Sequence, residues 1–404
     1  MAAFSHDWAA SIVLATPGIE FVSLSPGAMT LTESPNPFGL PSAETADVVL
    51  LSTLWYDWLV RTQPDRVAEV FTQIERAAGA IVGLDAADEF ALSFSPDTFS
   101  RLALVLKLQG LYRDRDLYNY EVGATYPGAL WSEKRRPRDQ RYRTEDLEKL
   151  RLSVPCIMLD LAGVRRVARR REGTQARTLS RRMPDAERMA RNTADALLLE
   201  ALARAPIAGR TRDVHCLMQL SHVQRIEALR LLAGFSGTRG LSSIREVVMG
   251  TEFRWNLPVQ IHDQIAADAA PFVRPGMSRT RFMLDLSRHK VGVAPTGFGE
   301  LGQRHAAVMR AGAALVCQDL SHVEMMFPIE HGRNARFCRP DLSDLRAAVD
   351  ELLGDRDLRR SIAHEGRRSL LEWSAHWKQH LDAGVRRPLS EAIGLREPIY
   401  APPT

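Results

Sequence analysis

Between Lys290 and Asp319 the chain reads KVGVAPTGFGELGQRHAAVMRAGAALVCQD, and no other stretch constrains its fold as tightly. A run of strand length, Lys290–Ala294, feeds the loop Pro295–Glu300; apolar positions at helical spacing follow in Gln303–Ala311, then a second strand-like run, Ala314–Asp319. Strands separated by a helix of this length lie parallel, joined by a right-handed crossover. The helix start offers unpaired N–H groups and a partial positive charge, which suits a phosphate. Gly297 and Gly299 let a ligand approach the backbone with no side chain between. Glu300 and Arg304 stand one helical turn apart on the side facing the loop. A plain helix-start turn with an i, i+4 ion pair would have the same residues.

The alternation extends in both directions. In the first half, Ser11–Ala15, Val48–Ser52, Ala80–Leu84, Leu102–Leu108 and Val154–Asp160 have strand character, and Pro64–Ala78 has helical spacing. Tyr112–Arg151 has no clean period and reads as a surface excursion ending in a short helix at Glu145–Leu150. A helix at Asp185–Arg204 leads into the second half. There Val214–Leu220 reads as a strand, and His222–Leu232, Arg279–Arg288, Leu342–Leu353 and Arg356–Trp373 read as helices. At 404 residues the chain fits two domains. The expected architecture is α/β: two Rossmann-like domains facing across a cleft. Residues 1–182 form an acceptor-side domain, 183–380 a donor domain, and 381–404 a segment returning toward the first.

Other candidates follow from where strands end, since open α/β sheets gather ligands at their carboxyl edge. After Val214–Leu220 comes SHVQR, so His222 and Arg225 are candidates for a second phosphate contact, with Arg225 stabilising charge that grows on a leaving diphosphate. An N-cap at Ser221 with a solvent-facing Arg225 is the structural alternative. Lys290 is a weaker candidate of the same kind. Ala80–Leu84 runs into Asp85, Ala86, Ala87 and Asp88, which makes Asp85 and Asp88 the best-placed general bases for an acceptor hydroxyl. Alternatively, Asp88 caps a turn and Asp85 pairs with a nearby arginine. His6 and His215 have no partner at metal-ligand spacing. With no HExxH, no DxD flanked by an apolar strand and no Cys/His cluster, no metal site is expected. The sequence also lacks the GxSxG of a hydrolase elbow and a GxGxxG after its first strand.

Several pieces in register carry a resemblance: Gly297-Phe298-Gly299-Glu300, Arg304-His305, Ala311-Gly312-Ala313, Asp319-Leu320-Ser321-His322, the turn His331–Asn334, and Asp341–Val349 with the helix around Asp355–Glu365. In this order and spacing they resemble the C-terminal donor domain of glycosyltransferases with the glycosyltransferase-B fold. Val82–Phe90 and Val105–Tyr112 match the N-terminal half more loosely. The resemblance implies that Gly297, Phe298, Gly299, Glu300 and the following helix start cradle the donor diphosphate. It also implies that Asp319, Ser321, His322 and Glu324 line the cleft beside the sugar or nucleoside. A nucleotide sugar would be the co-substrate, with no cofactor and no obligatory metal. One departure stands out: many relatives carry a carboxylate for the donor ribose where this chain has Ala307.

The expected reaction is therefore sugar transfer from a nucleotide donor to a hydroxyl of a glycan, a small molecule or a modified DNA base. A degenerate member that binds a nucleotide sugar or glycan without turning it over is the alternative, favoured by Ala307. Arg165, Arg166, Arg169, Arg170, Arg171, Arg177, Arg181 and Arg182 crowd into one stretch, either a solvated linker or a polyanion contact, as modified-DNA glycosylation would need. With 45% hydrophobic and 25% charged residues the composition is that of a folded protein. No apolar run approaches a bilayer span, and MAAFSHDWAA lacks the pattern of a secretory signal. Cys156, Cys216, Cys317 and Cys338 form no CxxC pair, which points to the cytoplasm.

Overall fold

In the computed structural model the described residues are 16, 46–85, 92–120, 137–155, 201, 209–218, 223–235, 238–240, 267–268, 270–272, 279–296 and 301–394. Of the expected features, Ser11–Ala15, Asp88, Cys156, Arg165–Arg182, most of Asp185–Arg204, His222 and Gly297–Glu300 lie outside them.

The first half builds a parallel sheet of order β1-β2-β3-β5. Strand β1 (Ala46–Ser52) leads through helix α1 (Thr53–Thr62) and helix α2 (Val67–Ala77) to β2 (Ala78–Asp85). On α2 the apolar residues Val70, Phe71 and Ile74 repeat at helical spacing, and all three are buried against the sheet. Strand β2 is buried from Ala80 to Asp85 without alternation, as a parallel strand covered on both faces must be. Strand β3 (Leu104–Lys107) continues the sheet, followed by the two-residue β4 (Leu111–Tyr112).

The Tyr112–Arg151 excursion departs from expectation. Its described parts bury Tyr112, Leu117, Tyr118, Tyr142 and Leu147. The Tyr142 N–H donates to Asn119 Oδ1 at 2.7 Å, and the Tyr142 hydroxyl donates to the Phe94 carbonyl at 2.6 Å. These bonds replace periodicity as the source of order. The excursion ends in a strand, β5 (Leu150–Leu152), which closes the sheet beside β3. The chain is already out of strand geometry at Val154 and Pro155.

The second half forms a fully parallel sheet of order β11-β9-β8-β6-β7. Its elements run β6 (Arg212–Met218), α3 (Val223–Leu231), β7 (Thr238–Gly240), α4 (Arg279–Leu286), β8 (His289–Ala294), α5 (Gln303–Ala311) and β9 (Ala314–Gln318). The two-residue β10 (Val323–Glu324), then β11 (Arg336–Cys338), α6 (Leu345–Gly354) and α7 (Arg356–Ala375) complete it. Helix α5 lies so close to β8 that a Cβ on Gly292 would sit 2.6 Å from both Val308 methyls. It stops at Gly312, whose φ of 70° is left-handed, with the Ala313 N–H returning to the Val308 carbonyl at 3.1 Å. Asp355 caps α7 by accepting from the backbone N–H groups of Asp357 and Leu358.

Two features join the halves. Helices α8 (Trp377–Leu381) and α9 (Arg387–Ala392) return to the first sheet, where Leu381, Val385 and Leu389 share a core with Val82, Leu84, Leu104 and Leu106. Strand β10 pairs antiparallel with β4, Val323 opposite Tyr112 and Glu324 opposite Leu111. Among the described residues, no helix is long and apolar enough to cross a membrane.

Candidate functional site

In the second sheet β7 lies on one side of β6 and β8 on the other, so the winding reverses between β6 and β8. The crevice outside the carboxyl ends at such a reversal is where doubly wound sheets bind ligands. Helix α3 leaves β6 and helix α5 leaves β8, carrying Arg225 and Arg304 to this point. A buried polar ladder holds the strand ends beneath them. The Thr296 hydroxyl donates to Gln224 Oε1 at 2.5 Å, the Thr296 N–H to Gln318 Oε1 at 2.7 Å, and Gln318 Nε2 to the Pro340 carbonyl at 2.6 Å. One chain of hydrogen bonds thus fixes the exits of β6, β8, β9 and β11. Sequence reading missed all three side chains, since amides and a hydroxyl spread over a hundred positions form no motif.

Arg304 is half-buried, and its guanidinium stands 5.9 Å from the Phe282 ring centroid. Its Nη1 is out of solvent, with no acceptor among the described residues. Loss of solvent, followed by repulsion from Arg225, pushes its pKa down to about 9. Two cations held side by side in a poorly solvated place favour a bound anion. The adjacent His305 is buried, with Nδ1 3.0 Å from the Gly302 N–H at the helix start. Burial, reinforced by Arg304 and Arg225 against an opposing bond with Gly302, lowers its pKa to about 4. His305 is therefore neutral near pH 7.

The segment after β9 faces the first half. Asp319 Oδ1 accepts from the Ser321 N–H at 2.8 Å, shaping the turn. Arg113 binds this turn twice, its N–H to the His322 carbonyl at 2.9 Å and its Nε to the Ser321 carbonyl at 2.9 Å. The His322 ring stacks on Tyr112 at 6.0 Å, and Glu324 meets Arg115 at 3.4 Å. Asp319 and Ser321, with Arg113, Glu330, His331 and Arg339, line a crevice of about 700 Å³ beside the ends of β9 and β11. That crevice lies on the other side of the Gln318 ladder from Arg225 and Arg304. The expected donor residues thus fall into two groups along one carboxyl edge. His322 and Glu324 belong to the contact between the halves.

Asp85 needs correction as a general base. Its carboxylate has no exposed surface, and Oδ2 lies 3.0 Å from the Nζ of Lys107, equally buried on the neighbouring strand. Ser93 approaches the same carboxylate through its N–H at 3.3 Å and its hydroxyl at 3.4 Å. A carboxylate held this way braces β2 against β3 and presents nothing to an acceptor. Asp85 pairs with a nearby cation, and that cation is Lys107, not an arginine. Lys290 is likewise paired, with Asp213 at 2.8 Å.

Residues 222–382 match the family model described as glycosyl transferase-like. The match is a likeness confined to the second half of the chain. No protein with a curated description matches the chain significantly. Among solved structures the chain is similar to a trehalose-6-phosphate synthase, at 12% identity and a TM-score of 0.40, over 83% of this chain and 75% of that one. It is also similar to a glycosyltransferase from Rickettsia africae ESF-5, at 10% identity and 0.34, over 87% and 99%. A third is a UDP-forming α,α-trehalose-phosphate synthase from Burkholderia xenovorans, at 12% and 0.33, over 85% and 99%. The family match opens at residue 222, so it takes in α3, β8 and α5 together with Arg225 and Arg304.

Proposed function

We propose that the protein transfers a sugar from a nucleotide-sugar donor to a hydroxyl acceptor, with the donor diphosphate held at the β6–β8 reversal. The observation that carries this reading is the placement of Arg225 and Arg304, next to each other at the switch point of a domain that matches glycosyltransferases. In sequence the Gly297–Glu300 loop immediately precedes α5.

In the reaction the acceptor oxygen forms a bond to the anomeric carbon while the bond from that carbon to the diphosphate oxygen breaks. The leaving nucleoside diphosphate takes the bonding electrons, and the acceptor proton passes to a base. Charge grows on the leaving oxygen, so two guanidinium groups aimed there stabilise the transition state more than the ground state. Asp88 remains the candidate base. Neutralisation by arginines supplies what a divalent metal would otherwise do for the diphosphate. We assign the protein to a reducing compartment, since Cys216, Cys317 and Cys338 are free and buried.

The test is turnover. Incubation with UDP-, GDP-, ADP- and dTDP-sugars is expected to release nucleoside diphosphate from at least one donor, faster with an acceptor present than by hydrolysis alone. Tight donor binding with no release from any of them would leave a binding protein and refute the transfer reading.

A further inference from the structure

Three side chains from two distant parts of the second half converge between β6, α4 and the start of β8. They are His215 on β6, Asp285 on α4 and His289 at the start of β8, each offering one ligand atom within 4.8 Å of the others. Both histidines have no exposed surface, and the Asp285 side chain is 20% exposed. His215 Nε2 lies 3.7 Å from Asp285 Oδ2, and the two imidazole centroids are 5.0 Å apart.

The hydrogen bonds decide the chemistry. His289 Nδ1 lies 2.7 Å from the Asp285 backbone carbonyl. A carbonyl only accepts, so Nδ1 carries the proton and Nε2 keeps its lone pair. That Nε2 is buried with no hydrogen-bond partner among the described residues, and so are both ring nitrogens of His215. An imidazole fixed by an Nδ1–H bond to a backbone carbonyl, with Nε2 presented inward, is the arrangement that metal-ligating histidines adopt. Burial, the largest cause for each, lowers the pKa of both histidines, which keeps them neutral, the form that ligates. On the other carboxylate oxygen, Asp285 Oδ1 accepts from Arg212 Nη1 at 2.7 Å, which orients Oδ2 toward His215.

We propose that His215, Asp285 and His289 bind one divalent transition-metal ion, with Zn²⁺ the favoured occupant, as a pin between β6, α4 and β8. Tetrahedral zinc with bonds of about 2.0–2.1 Å needs ligand atoms roughly 3.3 Å apart, so modest side-chain rotation closes the present spacing. Arg212 and Arg304 stand close to the cluster and oppose added positive charge. Only an ion with high imidazole affinity overcomes that, which favours Zn²⁺ over Mg²⁺ or Ca²⁺. The site lies toward the start of β8, where His289 stands, and differs in its ligands from the proposed donor site, with Arg304 the neighbour that both share. It escapes sequence inspection because His215 lies 70 and 74 positions from the other two, and the four-residue spacing of Asp285 and His289 is no signal by itself.

Metal analysis of tag-free protein, stripped with chelator and reloaded with Zn²⁺ or Co²⁺, tests this directly. One equivalent of Zn²⁺ per chain is expected, with a melting temperature several degrees above that of the stripped protein. Co²⁺ should give the intense visible bands of a four-coordinate ion. His289→Gln should lose the metal and the bands. Because that variant could also lose its fold, Asp285→Asn, at a partly exposed position, provides a second: it should fold and bind Zn²⁺ at least tenfold more weakly. Failure of the parent protein to bind, octahedral-type weak Co²⁺ bands, or Zn²⁺ affinity unchanged in Asp285→Asn and His289→Gln would each overturn the assignment.

Discussion

Replacing Lys107 with Met separates the two roles open to Asp85. Both side chains are without exposed surface, on paired register positions of β2 and β3, and Nζ–Oδ2 is 3.0 Å. Met keeps the volume of the lysine stem and removes its charge, so the buried Asp85 carboxylate loses its paired cation. Breaking a buried pair in this way costs about 3–5 kcal/mol. The double variant Asp85→Asn/Lys107→Met removes both charges and is expected within about 1–2 kcal/mol of the parent, since replacing a whole buried pair is often close to neutral. Urea unfolding of the parent, both single variants and the double variant gives the coupling directly. The double variant should also retain sugar transfer. A loss below about 1 kcal/mol for Lys107→Met would refute the brace. Normal stability with abolished transfer in Asp85→Asn would restore Asp85 as the base.

Three further outcomes follow from the second half. His305 titrates near 6.5 when unfolded and at about 4 when folded, so between these values the unfolded chain binds more protons and stability falls as pH falls. At pH 5 the loss from this residue is roughly 2 kcal/mol, read as a drop in urea midpoint that His305→Gln should reduce. His215 and His289 shift in the same direction and add to the slope in metal-free protein. Gly312→Ala places a Cβ at φ 70° and against the Arg367 guanidinium, which donates to Ala311. It should cost about 2–3 kcal/mol, and an unchanged melting temperature would show that the turn relaxes freely.

Much of the fold was legible in the sequence because parallel strands and their helices announce themselves by apolar runs and helical spacing. Ala80–Leu84, Gln303–Ala311 and Ala314–Asp319 lie within a residue or two of β2, α5 and β9. Strands β4, β10 and β11 were missed because two or three residues carry no period. Strand β5 was hidden in a charged stretch whose order comes from the Asn119–Tyr142 hydrogen bonds. At the candidate site, Arg304 and Arg225 were legible because each sits on a helix that follows a strand. Asp85 was misjudged because a strand-end carboxylate looks the same whether it faces a cleft or a buried lysine, and Lys107 lies 22 positions away. The convergence of His215 with His289 depends on the β6–β8 register, which pairs Arg212 with His289 and no local pattern encodes.

The most direct test of the diphosphate site is calorimetric titration of UDP, GDP, ADP and dTDP into the parent protein and into Arg304→Ala and Arg225→Ala. Each charge-assisted contact is worth about 1.5–3 kcal/mol, so each variant should weaken the best ligand by roughly 10- to 150-fold. A diphosphate that binds the parent and both variants equally well, or no binding of any of the four to the folded parent, would contradict the placement of the donor between β6 and β8.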